Sequence, residues 1–149
     1  VKVQLADLTA LLGAGWKRLD ADINGEFGYS LILSEFISKQ QARTAAEGWG
    51  GDQYALYENA AKGQVVLAHL SAWDTAKDAE EFFNAYAART AKRYPEAKER
   101  TGLPATERAY QTADGDAFIQ LRGQSVLVIE GVPAEQRDRL TKLATALWK

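Results

Sequence analysis

A chain of 149 residues with net charge −2, one histidine and no cysteine is long enough for one domain, but it lacks the side chains that disulfides and most metal sites need. Its basic and acidic residues are interspersed, so no basic stripe is offered to phosphates and nucleic acid is left out as a partner. No apolar run approaches the roughly 18 residues of a membrane span; the longest, around Tyr29 to Ile37, is interrupted by Ser30, Ser34 and Glu35.

The first residues also lack a basic segment followed by an apolar one, so no signal peptide is visible. The chain begins at Val1 and contains no methionine, from which we expect a fragment or processed product of a longer protein. The absence of cysteine suits either side of a membrane.

Leu5, Leu8, Leu11 and Leu12 outline a short amphipathic helix, with a turn at Gly13 and Gly15 and an irregular or extended piece through Trp16 and Leu19. Asn24 is an apt N-cap for a helical stretch that carries Phe27, Leu31, Phe36 and Ile37 and runs to Glu47, with a break expected near Ser38 to Gln41. Gly48 is placed to stop it in a left-handed conformation. Gln53 to Glu58 and Gln64 to Ala72 alternate as strands of a hairpin across the loop Asn59–Gly63.

Thr75 and Asp78 form a capping pair at the start of a long helix. It presents Ala79, Phe82, Phe83, Tyr86 and Thr90 on one stripe and ends at Pro95. A polar connection over 95–106 leads to three short strands, Arg108 to Thr112, Asp116 to Arg122 and Ser125 to Glu130, with a type I′ turn expected at Asp114-Gly115. Pro133 suits the first position of a final helix, whose packing face is Leu140, Leu143, Ala144, Leu147 and Trp148. The expected architecture is α+β: an antiparallel sheet of about five strands, a hairpin plus a three-strand meander, packed with three to four helices on one face or both.

Chemistry is sparse. His69 alternates with Val65 and Leu67 on one strand face, and a lone histidine without cysteine falls short of the three or four ligands of a zinc site. Glu26 reads as a first-turn acid facing a helix dipole. Gly48-Trp49-Gly50-Gly51-Asp52 lacks a lysine and precedes a strand, so it is no phosphate loop. It reads as a corner, or as one wall of a small cleft through Trp49 and Asp52. Trp73-Asp74-Thr75 is a strand-to-helix corner. No serine lies in a nucleophile elbow. We expect no catalytic residue, no metal and no cofactor. An acid–base pair of Asp52 with Asp74 ranks last.

Gly15-Trp16 ahead of Gly25-Glu26-Phe27-Gly28, then the phrase Ala45 to Tyr54, then Trp73-Asp74-Thr75 with Asp78-Ala79 and Glu81-Phe82 are together similar to the C-terminal region of a group of exported bacterial and archaeal proteins that resemble zinc metallopeptidases. The similarity covers about residues 3 to 90, and Val128 to Gly131 match loosely. In that group an upstream half carries a His-Glu-x-x-His helix, a motif absent from this chain, so no catalytic residue carries over. The resemblance implies an extracytoplasmic or secreted protein. In it, residues 1–149 form a single non-catalytic accessory domain that packs against, or positions substrate for, the missing N-terminal domain of the same polypeptide.

Two other readings stay open. Trp49, Trp73, Tyr54 and Tyr57 could line a ligand cleft, with Asp52 and His69 as its polar groups. An exposed edge strand or aromatic patch could pair two copies as a homodimer.

Overall fold

The computed structural model describes residues 1–149. Seven strands, β1 (Lys17–Asp22), β2 (Trp49–Asn59), β3 (Gln64–Trp73), β4 (Lys98–Glu99), β5 (Glu107–Thr112), β6 (Gly115–Arg122) and β7 (Ser125–Val132), form one sheet in the order β1-β2-β3-β7-β6-β5-β4. Every neighbouring pair is antiparallel. Five helices accompany it: α1 (Thr9–Leu12), α2 (Gly25–Ser34), α3 (Lys39–Ala46), α4 (Ala76–Arg93) and α5 (Leu140–Leu147).

The hairpin is β2–β3 and the meander is β5–β6–β7; β3 and β7 zip the two together. The sheet exceeds the expected five strands because both of its edges are poor in strand signals. β1 carries Lys17, Arg18, Asp20 and Asp22 and shields only Ala21 in part, so no alternation betrays it. β4 is two residues inside the polar connection. The fifth helix arises because the stretch expected over 24–47 is two helices. Ser38 turns the chain to an extended conformation and caps α3 through a reciprocal pair with Gln41.

Both faces are covered. On one, Val126, Val128, Ile119 and Trp73 meet Tyr29 and Leu33 of α2 and Phe82, Phe83 and Tyr86 of α4. On the other, Ala55, Tyr57, Val66, Leu127 and Ile129 meet Leu8 and Leu12 at the two ends of α1 and Leu143 and Leu147 of α5. Val126 to Ile129 is therefore apolar without interruption, since each successive side chain enters an opposite core.

Three local expectations are corrected. The turn between β5 and β6 is Ala113-Asp114, with Gly115 at φ +113 already paired to Thr112, so Asp114-Gly115 is not the two-residue turn. Pro133 opens a 3-10 turn, Ala134–Arg139, before α5 begins. Asn24 is already helical at φ −76, ψ −45 and its side chain caps nothing. Gly48 does adopt positive φ, and a Cβ there would run into the Asp78 carboxyl.

Candidate functional site

Hairpin register decides which of the singled-out residues meet. Trp49 lies opposite Trp73, Asp52 opposite Ser71, and Tyr54 opposite His69. Opposed residues share a face, so Trp49, Asp52, Tyr54, His69 and Trp73 all rise on the face that α2 and α4 cover. Tyr57 points to the opposite core, where its hydroxyl accepts from the Leu8 N–H at 3.1 Å. The four-aromatic cleft therefore does not form.

Three of the five build a corner. The buried Asp52 carboxylate accepts from the N–H groups of Asn24 at 2.9 Å and Gly25 at 3.0 Å, and from Trp49 Nε1 at 3.0 Å. A carboxylate from β2 thus meets the positive end of α2, where the side chain of Asn24 does not. Trp73 donates its Nε1–H to Ser71 Oγ at 2.9 Å and stacks on Phe82 with ring centroids 4.5 Å apart. Asp74 is exposed while Asp52 is committed to α2, so the two are not arranged as an acid–base pair.

His69 is different. It is 2% exposed and lies between two tyrosines, with Nδ1 2.9 Å from the Tyr29 hydroxyl and Nε2 3.4 Å from that of Tyr86. Tyr86 donates its own proton to Glu130 in a short hydrogen bond. Its oxygen must then accept from His69, which places the imidazole proton on Nε2 and makes Nδ1 the acceptor for Tyr29. The result is a directed chain: Tyr29 O–H to His69, His69 N–H to Tyr86, Tyr86 O–H to Glu130.

Arg89 closes the chain, with Nη1 3.2 Å from the other Glu130 oxygen and its guanidinium carbon 4.8 Å from the Tyr86 ring centroid. Burial disfavours charge on the imidazole and lowers its pKa to about 4. Burial, and then the Glu130 charge, hold the Tyr86 hydroxyl well above its usual value. For Arg89, burial pulls downward but Tyr86 and Glu130 outweigh it, and the group stays charged.

The polar end of this chain opens into a hollow of about 310 Å³. His69, Tyr86, Arg89 and Glu130 form its inner wall. Ile32, Val65 and Leu67 give it an apolar side, and Asn24, Tyr54, Arg93, Tyr94, Asp114 and Gly131 complete it. Tyr94 donates to Asp114 at 3.0 Å, and Arg93 lies over the Tyr94 ring without an ion pair. Of the five singled-out residues, Tyr54 and His69 line the hollow. Tyr29, Arg89 and Glu130 escape sequence reasoning, and Tyr86 stands out only as part of the α4 stripe. The available signal was a charge among buried neighbours: Glu130 directly after Val126–Ile129, and Arg89 on the Phe82–Tyr86 stripe of α4.

Residues 12–141 match a family described as a domain of unknown function, DUF8575. The chain belongs to this family. No curated protein and no solved structure matches it. In this DUF8575 domain no group of three or more His, Cys, Asp or Glu side chains could hold a metal ion, and no helix is long and apolar enough to cross a membrane.

Proposed function

We propose that this domain is a non-catalytic binding module, and that the hollow before His69, Tyr86, Arg89 and Glu130 takes a small ligand or a substrate side chain with an apolar body and a polar end. The carrying observation is the termination of a buried, directed hydrogen-bond chain in a hollow that also has an apolar side. Such pairing of apolar walls with a few fixed polar groups is what ligand sites require.

What supports the absence of a reaction is the state of the one histidine. A general base needs a pKa near its operating pH and a free nitrogen, whereas both His69 nitrogens are engaged and burial holds its pKa at about 4. The similarity of residues 3 to 90 to exported metallopeptidase-like proteins supplies a setting. In that reading the protein is extracytoplasmic, and the domain positions substrate for a peptidase-like domain on the same polypeptide.

The test is a screen of small amphipathic molecules by amide chemical shifts. Binding should move Tyr54, Leu67 and Glu130 together, and Leu67→Trp should abolish the effect by filling the hollow. A screen in which no compound moves that cluster defeats the reading. For the setting, a longer protein containing this domain should lose peptidase activity on its polypeptide substrate with Leu67→Trp while its fold persists.

A further inference from the structure

We propose that the surface running from the end of β1 across α2 to α3 is a self-complementary interface that pairs two copies of this chain about a two-fold axis. It is separate from the hollow and stands whether or not that site binds a ligand.

The first observation is a helix with apolar side chains on its exposed side as well as its buried one, beside a narrow polar stripe of Glu26, Ser30 and Ser34. α2 buries Tyr29 and Leu33 in its own core, yet Phe27 is 73% and Leu31 52% exposed. These two are one turn apart and form a continuous ridge. Ile23, at 60% exposed, precedes the N-cap residue Asn24, and Leu19, at 45%, lies on edge strand β1. These are four of the seven large apolar side chains the chain leaves exposed, all within thirteen residues of sequence. Clustered exposed apolar groups of this kind mark interaction surfaces.

The second observation is charge. Phe27 and Leu31 border a groove of about 440 Å³ whose other wall carries Lys39 and Arg43, one turn apart on α3. Neither cation has an ion pair, and Glu26 is the one acid in the lining. On the edge strand that leads into α2, Asp20 and Asp22 alternate with Leu19 and Ile23, are exposed, and are also unpaired with any cation. From β1 through α2 to α3 the exposed side chains therefore run acid, apolar, base. A two-fold axis through the apolar ridge lays the acidic end of one copy on the basic end of the other, twice, which is the self-complementarity an isologous dimer needs.

The contact is side-on and does not extend the sheet. The Ala21 N–H donates to Asp20 Oδ1 and the Ile23 N–H to Asp22 Oδ1, so these backbone donors are already engaged. The β1–β2 ladder also breaks register between Arg18 and Asp20, and both devices discourage edge pairing.

Analytical ultracentrifugation over a dilution series tests this. The unaltered chain should show a reversible monomer–dimer equilibrium. Phe27→Ser with Leu31→Ser, both exposed and so harmless to the fold, should weaken it at least tenfold. K39E/R43E alone and D20K/D22K alone should each be monomeric, because like charges then face each other. Mixed, the two variants should form a heterodimer with opposite charges across both halves. A chain that stays monomeric at the highest concentration overturns the proposal and leaves the groove to a different polypeptide. So does a dimer indifferent to these substitutions, or a mixture that fails to pair.

Discussion

The two faces of the sheet are built to different rules. The face under α1 and α5 is filled by Leu8, Leu12, Val66, Leu127, Ile129, Leu143 and Leu147, and its polar groups, the Tyr57 hydroxyl, Asn59 and the Asp116–Arg137 pair, lie around that apolar centre. The face under α2 and α4 buries Asp52, His69, Ser71 and Arg89 among its aromatics. Groups of that kind cost free energy to dehydrate and return little unless fully paired. One face therefore has an apolar centre with polar groups at its margin, and the other spends stability on a polar arrangement in the middle of its core.

Four measurements can break or sharpen that contrast. Glu130→Ala should have the largest effect, since it strands Arg89 and the Tyr86 hydroxyl; we expect a loss of about 3–5 kcal/mol in urea unfolding. Replacing both charges by apolar groups, Arg89→Met with Glu130→Leu, should recover most of that loss while abolishing any ligand response. Equal damage from the double variant would mean that the pair itself stabilises. On the opposite face, Leu127→Ala should cost about 2–5 kcal/mol through lost burial and a residual cavity, and it should leave the amide shifts around the hollow unchanged.

The third measurement is pH. His69 sits at about 4 in the folded chain because burial opposes its charge, against 6.5 when solvated. Between those values the unfolded chain binds the proton and the folded chain does not. The contribution is therefore complete above pH 6.5 and is lost as pH falls from there towards 4, by about 3 kcal/mol in total. His69→Gln should flatten this segment of the stability profile; an unchanged slope would show that His69 is not the titrating group. The smallest effect belongs to Thr75→Ala, which removes the acceptor for the Asp78 N–H at 3.0 Å and should lower the midpoint by an amount equivalent to about 1 kcal/mol.

Periodicity carried the sequence reading where burial is one-sided. The α4 stripe of Ala79, Phe82, Phe83, Tyr86 and Thr90 is buried as its spacing implies, and the hairpin and meander lie close to where alternation placed them. It failed where burial is slight, as at β1, or where the element is too short to have a period, as at β4. The polar cluster was harder still. Tyr29, His69, Tyr86 and Glu130 come from four different elements, and only the assembled sheet brings them within hydrogen-bond distance. The capping of α2 by Asp52 is likewise invisible locally, because donor and acceptor are 28 residues apart in sequence.

The seam between β3 and β7 lies at the middle of the sheet, and the residues it joins, such as Ser71 and Val126, are 55 positions apart in the chain. A growing polypeptide can fold the β2–β3 hairpin early, but β3 keeps an unsatisfied flank until β7 is synthesised. Contacts of such long range slow folding, because the loop must close before they reward it. The nascent domain therefore exposes a ready strand partner for the whole interval in which α4 and the meander are being made, and any truncation before Ser125 makes that exposure permanent.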